Sequence, residues 1–285
     1  MLLLRDAARI VRDHLLEAPY QLEFPRTGRA RWGHTLRVTA WELRLVVEVE
    51  ETSEQGETLI PQASLDRAHE LFAGLMGQPI GPFELPTGHS GQVGRGGRAG
   101  QAIDVGALVA AGILHDVAKY DIRPEDAGRL KHGPLAAEFA RELLSRDAGL
   151  PKPFVDLVEG LIRFHSAGAG AQSEEVLRTF GGRVPIELPL IKDADGLDEL
   201  GAQFVLLDAR HLGAEPDVYP AYLTRSAERL PQLYSQDGRF HTKAAKRHYQ
   251  RFTGVVRTFV GSLEEEIAGQ LWEGELLGDS SEGRP

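Results

Sequence analysis

The stretch AAGILHDVAKYD, residues 110–121, ends a run of small apolar residues with three ionisable groups. These are His115, Asp116 and Lys119. Burial of charge is expensive unless another group pairs with it. The stretch therefore predicts that side chains elsewhere in the chain meet these three.

Composition limits which partners are possible. A chain of 285 residues can bury a core, and 42% hydrophobic with 26% charged residues is ordinary for a soluble globular protein. The balance of 32 Lys+Arg against 42 Asp+Glu gives a net charge of -10, which disfavours nucleic acid as a partner. There is no cysteine, so any metal must be bound by His, Asp or Glu.

The first eighteen residues, MLLLRDAARIVRDHLLEA, carry charges at helical spacing. This pattern indicates an amphipathic helix rather than a signal peptide or a membrane span. We therefore expect a cytoplasmic protein without a membrane partner. The sequence is compatible with a homo-oligomer.

Apolar residues recur mostly at spacings of three and four within long proline-free stretches, which predicts an all-α fold. One segment departs from this pattern. In RLVVEVEE, residues 44–51, the apolar residues Leu45, Val47 and Val49 alternate with other residues. This alternation makes a strand an alternative to a helix in this segment.

Two candidate site residues point inward from their helices. His34 lies in line with Val38 and Leu45 on the apolar face of a predicted helix. His115 and Asp116 are neighbours, about 100° apart around a helix, so both could reach an ion between their directions.

Three further candidates lie at helix ends or on apolar faces. His132 precedes Pro134, which favours the first turn of a helix, where backbone N–H groups also attract anions. His165 ends an apolar helix just before a glycine-rich segment. Asp195 follows Leu188 at a helical spacing that directs the carboxylate toward the core.

In chain order the candidates are His, His-Asp, His, His and Asp, and this order resembles the HD-domain superfamily of metal-dependent phosphohydrolases. The matching stretches are GHTLRV (33–38), ILHDVAK (113–119), HGPLAAE (132–138), FHSAG (164–168) and KDADGLDELG (192–201). The resemblance implies an all-α, HD-domain-like helical bundle with its core at about residues 30–201.

The resemblance also implies roles for these side chains. The predicted metal ligands are His34, His115, Asp116 and Asp195. His132 and His165 would hold a second metal or contact the substrate phosphate, which Lys119 would also face; Asp116 and Lys119 are the predicted catalytic residues. Imidazole and carboxylate ligands suit one or two divalent ions of Mn, Fe, Co, Ni or Zn better than Mg. Asp193 falls on another helix face and is expected at most to hydrogen-bond.

The implied activity is hydrolysis of a phosphate ester or anhydride, on a small nucleotide, by metal-activated water. HDVAK with FHSAG resembles the dinucleoside tetraphosphate hydrolases of the superfamily. KDADGLDELG resembles members that hydrolyse nucleotides or have no assigned substrate. A catalytically inactive nucleotide sensor or interaction module is the alternative from another functional class.

The chain departs from the family in the 81 residues that separate His34 from His115. We predict a single HD-type domain over residues 1–285 with a partly glycine-rich insertion at about 52–102, including a small helix at 64–77. A C-terminal helical extension at 202–272 and a flexible tail at 273–285 complete it. The other histidines fit no part of the pattern and are predicted at the surface: His14, His69, His89, His211, His241 and His248.

Overall fold

A computed structural model describes residues 4–19, 28–49, 66, 103–126, 131–166, 173–198, 200–202, 204–206, 225 and 239–278. Every element of regular secondary structure within these ranges is a helix, so the all-α prediction is confirmed. The α-helices are α1 (Leu4–Glu17), α2 (Gly28–Val49), α3 (Val105–Leu114), α4 (His132–Ser145), α5 (Lys152–Phe164), α6 (Glu174–Thr179), α7 (Glu187–Asp198) and α8 (Lys243–Gly278).

Helix α3 is the centre of the fold. Its sequence, VGALVAAGIL, has no polar side chain, and all ten residues are buried. A helix that is apolar on every face must be surrounded, and α3 contacts α1, α2, α4, α5 and α7. Asp104 begins the helix by accepting a hydrogen bond from the backbone N–H of Ala107. This buried helix ends at Leu114. The next two residues, His115 and Asp116, therefore lie in the interior as well, and both are buried.

The ambiguous segment RLVVEVEE is helical as far as Val49, where the described part of α2 ends. Leu43, Leu45 and Val46 are buried, because α2 packs against α3 and α7 on one face. Tertiary packing of that face overrides the strand preference of the valines. On the outer face Arg44 Nε donates to Glu48 at 2.7 Å, a pairing one helical turn apart.

Helix α1 confirms the predicted amphipathic helix. Ala7, Val11 and Leu15 are buried, and Arg12 is exposed. The buried face contacts α2 and α3. No helix among the described residues combines the length and the apolar character needed to cross a bilayer.

The chain divides into two compact units. The first consists of Met1–Asp198 and Arg239–Lys246, and the second of Glu199–Gly238 and Arg247–Pro285. In the first unit Asp193 accepts hydrogen bonds from the backbone N–H groups of His241 and Thr242, each at 2.8 Å. In the second, Gly201 has a φ of 69°, and a Cβ there would lie 3.1 Å from the Phe252 ring.

One predicted boundary differs in the structure, and another lies outside the described residues. The insertion at 52–102 lies outside the described residues apart from Asp66. Helix α8 extends to Gly278, past residue 273, where the tail was predicted to begin. The single HD-type domain and its extension stay predictions.

Candidate metal centre

All seven predicted site residues of this chain lie within the first unit. They come from five helices or the turns that adjoin them: His34 from α2, His115, Asp116 and Lys119 after α3, His132 from the start of α4, His165 from the end of α5, and Asp195 from α7. The structure brings these distant segments together at the end of α3.

The four predicted metal ligands meet through their side-chain tips. His34 Nε2 lies 3.3 Å from His115 Nε2 and 3.2 Å from Asp195 Oδ1. Asp116 Oδ2 lies 3.5 Å from His34 Nε2 and 3.6 Å from His115 Nε2. Asp195 Oδ1 lies 4.0 Å from His115 Nε2. Three of these residues, His34, His115 and Asp195, form one group whose ligand atoms lie close enough together to hold a cation, and Asp116 adjoins it.

The other predicted residues adjoin the second oxygen of Asp116. Asp116 Oδ1 lies 3.0 Å from His132 Nε2 and 3.9 Å from His165 Nε2. The Nε2 atoms of His132 and His165 lie 3.1 Å apart. Lys119 Nζ lies 3.9 Å from Asp116 Oδ1 and 3.4 Å from His132 Nδ1. Asp116 therefore connects the four-residue group to the residues predicted for phosphate or a second metal.

His115 and His165 are oriented by the same kind of hydrogen bond, from Nδ1 to a backbone carbonyl three residues earlier. His115 directly follows α3, and its Nδ1 lies 2.7 Å from the Gly112 carbonyl oxygen. His165 directly follows α5, and its Nδ1 lies 2.7 Å from the Ile162 carbonyl oxygen. The last carbonyls of a helix lack partners within it, so each imidazole donates Nδ1–H to one of them. This leaves Nε2 of both rings directed at the cluster with a free lone pair.

The backbone at the His-Asp pair differs from the sequence prediction. Regular helix ends at Leu114, and tight turns follow, with Val117 N–H donating to the Leu114 carbonyl and Lys119 N–H to the Asp116 carbonyl. Asp116 thus lies in a turn rather than 100° further around a continuing helix. The turn accounts for the position of Lys119 beside Asp116.

The imidazoles differ in charge because their neighbours differ. Burial would lower the pKa of His34, but hydrogen bonds with Asp195 and Asp198 raise it to about 9. Burial lowers the pKa of His115. Burial and the neighbouring His115 lower the pKa of His165 to about 3. Two of the three rings are therefore neutral near pH 7, as metal ligands must be.

Both cluster carboxylates are anionic. Burial would raise the pKa of Asp116, but the Arg31 guanidinium and the His115 imidazole hold it well below its ordinary value. Burial likewise opposes ionisation of Asp195, and its hydrogen bond with His34 lowers its pKa. Two carboxylates give the cluster a charge that a divalent cation would balance.

Three charged residues of the site were missed by the sequence analysis. Arg31 Nη1 donates to Asp116 Oδ2 at 2.7 Å. Asp198 Oδ2 accepts from His34 Nδ1 at 2.7 Å, and its Oδ1 accepts from Arg37 Nε at 2.7 Å. The available signal was spacing, because Arg31 precedes His34 by three residues and Asp198 follows Asp195 by three. Asp198 orients the His34 ring, whereas the carboxylate of Asp193 binds backbone at the start of α8.

Of the histidines predicted at the surface, one is buried and one is only partly exposed. His14 is partly buried: its Nε2 lies 2.9 Å from Asp121 Oδ2, and its ring centroid lies 5.0 Å from that of Phe139. His248 is buried, which contradicts its predicted surface position. His241 is exposed as predicted, while His69, His89 and His211 lie outside the described residues. A single sequence gives no signal for His14, because Asp121 is 107 residues away.

The residues present fit a divalent metal ion. Asp116 Oδ1 is buried and forms no well-aligned hydrogen bond within the described chain, although His132 Nε2 is close. The lone pairs of His115 and His165 point at the same region. Two three-residue groups have ligand atoms within 4.8 Å of one another, His34–His115–Asp195 and His115–Asp116–His165. One or two ions are compatible with these groups.

One part of the chain matches the model of a known protein family. Residues 88–200 match the family model of the HD domain. No curated protein matches the sequence significantly. A solved structure of a predicted HD superfamily hydrolase from an uncultured Thermotogales bacterium is 18% identical, with 92% of each chain covered and a TM-score of 0.46. At that TM-score the likeness supports no conclusion about this chain. The matched segment contains six of the seven predicted site residues. This match confirms the predicted resemblance of the chain to the HD-domain superfamily.

Proposed function

We propose that this protein is a metal-dependent phosphohydrolase that cleaves a phosphate ester or anhydride of a small nucleotide. The HD domain and the His/Asp cluster support the broader assignment, a metal-dependent hydrolase. One observation carries the proposal: His34 Nε2 and His115 Nε2 lie within 4.0 Å of carboxylate oxygens of both Asp116 and Asp195.

The charges and donor atoms of the cluster favour a divalent transition metal. Asp116 and Asp195 supply two negative charges, and His115 and His165 supply neutral nitrogens. The proton of His34 Nε2 is shared with Asp195 in the absence of metal, and metal binding would displace it. Mixed nitrogen and oxygen ligands suit Mn, Fe, Co, Ni or Zn better than Mg.

A bound divalent ion lowers the pKa of coordinated water and polarises a phosphoryl oxygen, and both effects promote hydrolysis. The chain supplies further donors at the solvent side of the cluster. Lys119 has 33% of its side chain exposed, Arg31 18% and His132 17%, whereas Asp116 has 2%. All three can donate hydrogen bonds to phosphoryl oxygens, and the Lys119 and Arg31 cations would also neutralise their charge.

His132 and His165 fit either role that the resemblance implied. Their Nε2 atoms lie 3.1 Å apart and face Asp116 Oδ1. They would hold a second ion with Asp116 as the shared ligand, or contact a substrate phosphate directly. Elemental analysis of the purified protein decides between them, because it returns two ions per chain in the first case and one in the second.

The test of the activity is a substrate panel. The full chain, loaded with Mn²⁺, is incubated with mononucleotides, a dinucleoside tetraphosphate and a generic phosphomonoester. We expect phosphate or nucleoside phosphate release that a chelator abolishes. Release of nucleoside diphosphate from the tetraphosphate would identify the dinucleoside tetraphosphate hydrolase activity.

A variant pair separates phosphate contact from general surface charge. Lys119→Ala should raise KM for every substrate that turns over, because it removes a cation beside Asp116. Lys152→Ala, which removes a solvent-facing lysine on α5, should leave KM unchanged. Silence on the whole panel together with tight nucleotide binding would contradict the hydrolase and favour the sensor.

A further inference from the structure

Glu42 is a buried acid that the proposed chemistry does not use. It lies on α2 two turns after His34, between Val38 and Leu45 on the same face, and its relative exposure is 0%. Neither Oε1 nor Oε2 has a hydrogen-bond partner among the residues that the structure describes. Such groups are rare in native proteins and call for an explanation.

Structure alone does not explain a glutamate at this position. An unpaired carboxyl group inside a protein is unfavourable whether it is charged or neutral. An apolar side chain of similar volume would pack there at lower free energy. A local rule broken without a structural gain is most often found at a functional site.

The carboxyl group of Glu42 lies against the residue that orients His115. A Cβ built on Gly112 would come 2.0 Å from Glu42 Oε2, so the carboxyl group occupies the space that a side chain at position 112 would need. The carbonyl of the same Gly112 accepts the hydrogen bond from His115 Nδ1 at 2.7 Å. Glu42 therefore packs directly behind the backbone group that directs His115 Nε2 into the cluster.

Glu42 also interacts electrostatically with the cluster. The nearby charge of Asp195 adds to burial in raising the pKa of Glu42. Glu42 belongs to neither of the two groups whose ligand atoms lie within 4.8 Å of one another. It therefore lies outside the ligand set, against Gly112 and within electrostatic range of Asp195.

We propose that Glu42 is a positioning residue that favours the metal-bound state, by supporting the Gly112–His115 contact and by adding negative charge behind Asp195, at the expense of the stability of the metal-free protein. This inference rests on the metal centre of the proposed function and not on the reaction. Burial and the charge of Asp195 disfavour the anionic form of Glu42 in the metal-free protein, whereas a divalent cation would favour it.

The experiment compares wild type, Glu42→Gln and Glu42→Met as full-length proteins. Gln keeps the shape of the side chain, and Met keeps its volume while removing the polar atoms. Mn²⁺ affinity is measured by titration calorimetry, and the Tm is measured in chelator and in excess Mn²⁺. We expect metal-free Glu42→Met to melt about 4 °C or more above wild type, since removal of a buried unpaired polar group stabilises a protein of this size by that order, and Glu42→Gln to gain less because its amide is unpaired too. Mn²⁺ affinity should fall about tenfold, as for other residues that support metal ligands.

Glu187→Gln is the matched control. Glu187 is also buried, and its Oε2 has no hydrogen-bond partner within the described residues, but it lies at the start of α7. This control should raise the Tm of the metal-free protein without changing Mn²⁺ affinity. Wild-type Mn²⁺ affinity in Glu42→Gln would overturn the proposal, and so would a metal-free Tm below that of wild type in both Glu42 variants. If Glu42→Met does not fold, the affinity and Tm of Glu42→Gln decide alone.

The two hypotheses fail in different ways. If wild type binds Mn²⁺ but hydrolyses none of the panel, the proposed reaction is wrong while the affinity comparison still tests Glu42. If wild type hydrolyses a substrate and the Glu42 variants bind Mn²⁺ as tightly as wild type, the role of Glu42 is wrong and the hydrolase stands.

Discussion

Two pairs of acids inside this molecule have pKa shifts of opposite direction. The carboxylates of Asp116 and Asp195 meet guanidinium or imidazole groups, and these partners lower the pKa of each acid despite its burial. Glu42 and Glu187 lack such partners, and burial raises the pKa of each. Asp116, Glu42 and Glu187 are buried and 23% of the Asp195 side chain is exposed, so burial does not separate the two pairs, and the groups around each acid decide its charge. The first pair supplies anionic oxygens that suit a cation. Burial of the second pair lowers the stability of the folded protein.

The largest effect should come from removing the charge of the first pair. Asp116→Asn keeps the shape of the side chain but removes the anion that contacts both groups of the cluster. We expect bound metal to fall to background and hydrolysis to fall at least about 1,000-fold, since even residues outside the ligand set are worth about 10–100-fold. Elemental analysis and the substrate panel measure both losses.

His115→Ala should have the same two effects, because it removes a ligand shared by both three-residue groups. Turnover that persists in either variant after the metal has been stripped would refute the proposed chemistry.

The second prediction concerns the acid pair that lacks guanidinium and imidazole partners. Burial, opposed only in part by the hydrogen bond from the Asp104 N–H, raises the pKa of Glu187 from 4.5 to about 7. The folded state therefore binds one more proton than the unfolded state between pH 4.5 and about 7, and the free energy of unfolding falls as the pH rises through this window. The loss approaches about 3 kcal/mol above pH 7.

Glu187→Gln should remove most of that loss. The amide oxygen can still accept from the Asp104 N–H, and no charge forms at any pH. We expect the variant to be more stable than wild type at pH 8 and similar to it at pH 4.5. Urea unfolding across this range measures the difference, and parallel pH profiles for the two proteins would contradict the raised pKa.

The third prediction tests how the first pair is supported. Asp198→Asn weakens the acceptor that holds His34 Nδ1, so Mn²⁺ affinity should fall about 10–100-fold. Asp193→Asn is the control on the same helix, because Asp193 binds the backbone of His241 and Thr242. It should lower the free energy of unfolding and leave Mn²⁺ affinity unchanged. Equal loss of affinity in both variants would mean that α7 as a whole, rather than Asp198, supports the site.

The smallest effect is expected at the half-exposed pair of His14 and Asp121. Each has about a third of its side chain exposed, at 31% and 33%, so His14→Gln should lower the free energy of unfolding by about 1 kcal/mol or less. Asp121→Asn should do the same, and the double variant should lose little more than either single one. Urea unfolding of the four proteins measures this cycle. An additive double variant would show that the two residues act independently.

Patterns along the chain revealed the residues that lie on regular elements. The spacing of His34 with Val38 and Leu45 predicted a helix with an inward histidine, and His132 does begin α4. The same reasoning was wrong at Asp116, because nothing in ILHDVAK shows that the helix ends at Leu114. The alternation in RLVVEVEE also misled, since burial against α3 and α7 makes that segment helical as far as Val49.

Glu42 shows a different limit of sequence reasoning. It stands in line with Val38 and Leu45, so an acid on the apolar face of α2 was visible in the sequence. That it meets Gly112, 70 residues later, depends on how two helices pack. Local periodicity reports which face a residue occupies, and it does not report what lies opposite.

The sequence by itself determined the helical class and the order of ligand types, because helical periodicity and residue chemistry are local properties of the chain. Tertiary structure decided which acids are ionised, that Arg31 and Asp198 join the site, and that Asp116 connects two groups of histidines. The physical reason is that charge depends on neighbours within a few ångströms, and those neighbours come from helices distant in sequence.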